Sequence, residues 1–255
     1  MGVVHLLPLP GGPLPSPGLP YVLERACADA QALARGGVDA LIVENFGDAP
    51  FVADTVEPFT VAAMARIVDA VGVAAPELAV GVNVLRNDAA AALSIAAATR
   101  ATFIRVNIHT GAMVTDQGLI QGKARETLLL RRRLEAEVAI VADVLVKHAV
   151  PLGNWTLADA ARDAVSRGRA DALVVTGSGT GRPTAPGDVA EVRQAVPGMA
   201  VWVGSGLDPH TVASFGQFAG AIVGTALHED AVVTAPIDEA RVRAMRDALE
   251  AHRPA

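Results

Sequence analysis

One short unit recurs along this chain and limits its fold more than any other feature. GVDALIVEN (37–45), ATFIRVN (101–107), ADALVVTGS (170–178) and AGAIVGT (219–225) each follow an alanine-rich helical stretch. Each runs from a small or acidic residue into consecutive apolar residues and stops on polar residues or glycine. LAVGVNVL (78–85), VAIVADVLV (138–146) and MAVWVGSG (199–206) lie between them, and GVVHL (2–6) precedes them all. These eight runs are short, rich in Val and Ile and apolar without alternation, as parallel strands covered on both faces must be.

Between the runs the period becomes helical. Apolar residues recur at three-to-four spacing over 21–35, 58–71, 89–99, 123–136, 156–167, 188–195, 209–218 and 238–252. Asp188, Asp208 and Asp238 are placed to cap helix starts, and Gly36-Gly37 and Gly168 to stop helices. Strict alternation leaves an open doubly wound sheet or a closed barrel. Eight strands without a composition break predict one (β/α)8 barrel domain over residues 1–255. An open sheet would usually carry a glycine-rich nucleotide loop after its first strand, where this chain has the proline-rich stretch 8–20.

Half the residues are hydrophobic and mean hydropathy is +0.37, so a large core is available. The apolar runs are far shorter than the roughly 20 residues of a spanning helix. The early Pro8 and Pro10 argue against a signal peptide. A net charge of −6, with no basic cluster beyond Arg131-Arg132-Arg133, disfavours nucleic acid. The single Cys27 fits a reducing compartment and reads as a core thiol, so a cytoplasmic location is expected.

A barrel carries its chemistry at the C-terminal ends of its strands. Those ends bear His5, Glu44, Asn83, Asn87, Arg105, Asn107, His109, Asp143, Lys147 and His148. Alternation places Arg105, Asn107 and His109 on one face, and Asp143 with Lys147 on another facing the same cavity. Arg105 and Asp143 should meet as a buried pair, which by itself could be plain charge neutralisation. Glu44 and Asp143 are the candidate general base and acid. Arg105, Asn107 and His109 would orient substrate oxygens or stabilise developing negative charge. Lys147 would be an electrostatic clamp, or a Schiff-base former if Arg105 depressed its pKa. His5, Asn83, Asn87 and His148 would orient the substrate.

The last three strands end differently: Thr176-Gly177-Ser178, then Gly204-Ser205-Gly206, then Gly224-Thr225. Glycine and hydroxyl groups in this order are expected to cradle a phosphate through backbone N–H groups. The long connections 44–57 and 109–122 are expected as lids or binding loops. Phe46, Phe51, Met113 and Ile120 on them would otherwise make a subunit contact, and a homo-oligomer is expected.

The stretches GVVHLLPLPGGP, GGVDALIVENFGDAPF, VGVNVLRNDAAAAL, FIRVNIHTGAMVTDQGLIQG, ADVLVKHAVPLG, ADALVVTGSGTG and VGSGL are together similar to the BtpA/SgcQ family along nearly the whole chain. The resemblance implies a phosphate-binding type of barrel. One branch of that family is named for photosystem I biogenesis in cyanobacteria, with peripheral membrane association, and another for a sugar uptake and phosphorylation gene set. The leading expectation is an enzyme, or former enzyme, acting on a small phosphorylated metabolite such as a sugar or nucleoside phosphate. A non-catalytic assembly factor is the second reading. A metal-dependent hydrolase built on His5, Glu44, His109 and Asp143 is the third. No organic cofactor is expected, and a divalent metal is left open.

Overall fold

A computed structural model describes residues 1–177 and 184–252. In chain order the elements are β1 (Gly2–His5), α1 (Leu19–Gly36), β2 (Ala40–Glu44), α2 (Pro58–Ala74), β3 (Ala79–Asn83), α3 (Ala89–Ala98), β4 (Phe103–Val106), β5 (Ala112–Thr115), β6 (Gly118–Gln121), α4 (Ala124–Arg133), β7 (Ala139–Val144), β8 (Ala149–Pro151), α5 (Leu157–Ser166), β9 (Ala172–Val175), α6 (Pro186–Ala195), β10 (Val201–Val203), β11 (Gly220–Ala221) and α7 (Glu239–Ala251). Eight of the strands form one parallel sheet in the order β1-β2-β3-β4-β7-β9-β10-β11. The sheet closes on itself, because Val3 N donates to Val223 O and Val223 N to Met1 O, each at 3.1 Å. The architecture is the (β/α)8 barrel, and no described helix is long and apolar enough to cross a membrane.

Alternation along each strand divides the core in two. Val3, Ala40, Ile42, Phe103, Val141, Val174 and Ile222 fill the barrel interior. Their neighbours Val4, Leu41, Val43, Ile104, Ala142, Leu173 and Val175 pack outward against the helices. Gly81 is required by this packing: a Cβ there would lie 2.0 Å from the Phe103 ring. Inside the barrel the apolar layer stops below Glu44, Asn83, Arg105 and Asp143, and this sets the floor of the polar mouth.

Helix ends follow local chemistry. Gly37, at φ 86, closes α1 in the left-handed region, and Asp88 and Asp238 cap α3 and α7 through backbone N–H groups. Asp188, expected as a cap, instead lies three residues beyond the capping position of α6 and reaches back to Ala185 N at 3.3 Å. The helix expected over 209–218 is reduced to a 3-10 turn, Val212–Phe215. Asp208 Oδ1 accepts from His210 N and Thr211 N, Ser214 Oγ donates to Thr211 O, and Gly216 turns the chain at φ 62. These side-chain bonds compete with a helix, and the glycine ends it.

The connection 109–122, expected as a lid or binding loop, contains a hairpin of β5 and β6 turning at Gly118, φ 96. β8 adds to it as a third antiparallel strand over the mouth. Met113 and Ile120, expected in a subunit contact, point under this small sheet and are buried with Ile108, Val146 and Ala149. Cys27 is half-buried on α1 rather than fully in the core.

Candidate active site

The mouth is organised around one guanidinium. Arg105 directs Nε and Nη2 at Asp143 Oδ1 and Oδ2, 2.9 and 3.0 Å away, and Nη1 at Glu44 Oε1, 3.2 Å away. Asn83 Nδ2 donates to the same Glu44 oxygen at 3.1 Å, and Asn107 Nδ2 to Asp143 Oδ2 at 3.0 Å. The sheet register explains the gathering. His5, Glu44 and Asn83 are mutual register partners at one height on β1, β2 and β3. Arg105 and Asp143 belong to the inward sets of the neighbouring strands β4 and β7.

All three charged side chains are buried, that of Asp143 completely. Burial works against the Arg105 charge, but Asp143 and Glu44 outweigh it and raise its pKa above the ordinary arginine value. Lys147, next to the cluster, has its pKa lowered, first by burial and then by Arg105, against the pull of Glu44 and Asp143. Arg86 is lowered by burial despite Asp143. The side chain of Asp143 is fully used by Arg105 and Asn107, whereas Glu44 Oε2 has no hydrogen bond among the described residues.

Other strand-end residues join one loop to the next. Asn87 Oδ1 accepts from Ile108 N and its Nδ2 donates to Ile108 O, at 2.8 and 2.9 Å. Asn45 does the same work toward Leu85 N, and Thr176 Oγ1 accepts from Lys147 N. Arg86 Nη2 donates to Lys147 O at 3.0 Å. Asn87 is therefore built into the scaffold rather than directed at the cavity. His148, at φ 62, is exposed at the rim.

His109 is the residue the structure moves furthest from expectation. Regular alternation ends with β4 at Val106, the chain then bends, and His109 turns outward. Its Nε2 lies 2.8 Å from Gly168 O behind α5, and the charges that act on it are those of Arg131 and Asp171. His5, Glu44, His109 and Asp143 are thus not gathered as metal ligands. Among the described residues no three His, Cys, Asp or Glu side chains are placed to hold a metal ion.

The other side of the mouth carries the glycine turns. Ser205 Oγ donates to Thr176 O at 2.6 Å, and Thr184 Oγ1 lies 3.3 Å from Ser205 Oγ. Gly177 and Gly206 adopt φ 107 and 77. Gly204 is needed for packing, since a Cβ would meet Val174 Cγ1 at 2.4 Å. Among the described residues, the N–H groups of Ser205, Gly206, Gly224 and Thr225 meet no acceptor. Ser178 lies outside the described residues.

Sequence reasoning missed the surroundings of His5. His228, in the connection after β11, is fully buried against it, and Phe46 stacks edge-on to the His5 ring with centroids 4.8 Å apart. No pattern marks His228; only its place after the last strand could have suggested it. A cavity of about 30 Å³ opens beside Asn107, Asp143 and Trp155, and a larger one of about 150 Å³ lies between α7 and the opposite ends of the strands. The larger cavity contains none of the cluster; converging polar groups, not volume, locate the candidate site.

A family model described as the BtpA family matches residues 1–251. The Photosystem I biogenesis protein BtpA of Synechocystis is 48% identical over 252 residues, 98% of this chain and 87% of that protein. An uncharacterised protein of Pyrococcus abyssi is 44% identical over 90% of this chain and 87% of its own. The putative sgc region protein SgcQ of Escherichia coli is 34% identical over 95% and 90%. Among solved structures, KGPDC from Streptococcus mutans in complex with D-ribose 5-phosphate is similar with a TM-score of 0.60 at 13% identity, covering 99% of this chain and 98% of that one. Phosphoribosyl anthranilate isomerase from Thermus thermophilus gives 0.55 at 14%, covering 89% and 95%. At such identity these structures share the fold.

Proposed function

The chain belongs to the BtpA family, and from that premise we propose that it is a cytoplasmic enzyme, one barrel domain over 1–255, acting on a small phosphorylated metabolite at the mouth. One observation carries the reading: a buried cluster of one guanidinium and two carboxylates faces glycine turns whose N–H groups have no acceptor among the described residues. The phosphate would bind Ser205, Gly206, Gly224 and Thr225 through those N–H groups, with Gly177 beside them. Structural neighbours supply support of the same kind, since one holds D-ribose 5-phosphate and another is named for a phosphoribosyl substrate. Glu44, whose Oε2 has no hydrogen bond among the described residues, is one proton acceptor. Asp143, whose oxygens are both engaged, holds Arg105 in place rather than acting as an acid. Lys147 is the clamp that draws the anion in.

Calorimetry with D-ribose 5-phosphate and other sugar phosphates, each against its unphosphorylated parent, tests the reading. Binding of phosphorylated compounds is expected, lost in Gly206→Val while the fold persists. Failure of every phosphorylated compound, or unchanged binding in the variant, sinks it.

A second reading has its own observation. Leu119, Val114 and Val150 face each other across β6, β5 and β8 and are 50%, 47% and 64% exposed. Leu152, the residue after β8, is exposed as well. This apolar face is the docking surface that an assembly role or a homo-oligomer needs, and it replaces the contact expected of Met113 and Ile120. Light scattering at micromolar concentration should give a multiple of 26.1 kDa. Leu119→Glu should return the mass to that of one chain, and a monomeric parent rules out the self-association.

A further inference from the structure

Two histidines separated by 223 residues meet at the edge of the mouth: His5 Nδ1 lies 3.0 Å from His228 Nε2. On its far side, His228 Nδ1 lies 2.6 Å from Ala235 O. A carbonyl oxygen only accepts, so His228 Nδ1 holds a proton. His228 is fully buried, and burial lowers its pKa despite that carbonyl, so the ring is neutral and its Nε2 is bare. His5 Nδ1 must then be the donor, and the remaining nitrogen of a neutral His5, Nε2, carries a lone pair.

The surroundings leave that lone pair accessible. Gly224 stands against it, for a Cβ there would lie 2.7 Å from His5 Cε1 and 3.1 Å from Nε2. Its glycine identity therefore serves the imidazole first. Phe46 packs edge-on against the ring. The charges facing His5 are those of Glu44, Lys147 and Arg105, on β2, after β7 and on β4. Among the described residues nothing hydrogen-bonds to Nε2, and the ring is only partly buried.

We propose that His228 is a positioning residue that locks His5 in the Nδ1–H form, so that His5 Nε2 acts as a catalytic proton acceptor for a hydroxyl of the substrate. The substrate class narrows accordingly, to a phosphorylated compound that offers a hydroxyl to His5 Nε2 while its phosphate lies on the glycine turns. In the step, Nε2 takes the hydroxyl proton and His5 becomes an imidazolium. Its Nδ1–H stays on His228, and the proton returns from Nε2 when the oxygen is released. The role of the hydroxyl rests on the reading of the mouth as an enzyme site, whereas the tautomer does not.

The test is made on the ligand-free protein, so its failure differs from a failure of phosphate binding. Long-range ¹⁵N–¹H spectra of the imidazoles should show His5 protonated at Nδ1 and bare at Nε2. His228→Phe, which offers no acceptor, should switch His5 to the Nε2–H form; His228→Gln, whose amide oxygen accepts, should restore the Nδ1–H form. Diethyl pyrocarbonate at neutral pH should modify His5 Nε2. A wild-type His5 protonated at Nε2, an unchanged tautomer in folded His228→Phe, or an unmodified His5 overturns the proposal. If His228→Phe does not fold, the wild-type spectrum and His228→Gln decide.

Discussion

The two halves of the barrel mouth solve the problem of buried polarity in opposite ways. From β2 to β7, charged side chains converge on one another: Arg105 serves two carboxylates, and Asn83 and Asn107 donate to those same two, leaving Glu44 Oε2 and Asn107 Oδ1 without a bond among the described residues. From β9 to β11 there is little side-chain charge, and the polarity is that of backbone N–H groups in glycine turns, left without acceptors among the described residues. The first half has little need of a ligand to be stable, and its residues support one another. The second presents donors that an incoming anion can use. Substitutions in the first half should therefore register in stability and those in the second in binding.

The sharpest way to break this contrast is to remove the guanidinium. Arg105→Met leaves Glu44 and Asp143 buried without their cation, and a loss of about 3–5 kcal/mol is expected. Urea denaturation reads it directly; a loss below about 1 kcal/mol would show that the cluster is not what holds that half together. Arg105→Lys should recover only part, because an ammonium cannot offer the same fork to two carboxylates.

Acid should act next. Burial, helped by His228, lowers the His5 pKa to about 4 despite the pull of Glu44. The unfolded chain, with histidine near 6.5, binds the proton first. Stability is then complete above about pH 6.5 and falls as pH drops toward about 4, by at most about 3 kcal/mol from this residue. His109, His148 and His228 are shifted the same way, so the comparison must be between the parent and His5→Phe. An unchanged slope in His5→Phe would mean that His5 takes up its proton at the same pH in the folded and unfolded chains.

The smallest effect sharpens the glycine half. Gly204→Ala forces a Cβ against Val174 and Thr176, which must shift, and about 1–3 kcal/mol of stability should be lost. Thermal melting of Gly204→Ala beside Gly206→Ala separates packing from turn conformation. If Gly204→Ala melts like the parent, the close approach of β9 and β10 is not rigid.

Period and composition determined much of this molecule. Strand residues with period two are committed to a face, so the sequence alone could place Arg105 and Asp143 beside each other in the mouth. Alternating strand and helix signals, in that number, determined the barrel. Where the regular repeat ends, that power ends with it. His109 would have stayed with Arg105 and Asn107 had β4 continued past Val106, but the strand ends there and His109 turns outward to the Gly168 carbonyl behind α5. The hairpin over the mouth was illegible because two strands of 4 residues each look like loop until β8 pairs with them. His228 had no local signature at all. Its meaning comes from His5 on the first strand and from the closure of β1 onto the last, a contact between the two ends of the chain that only the closed tertiary structure can make.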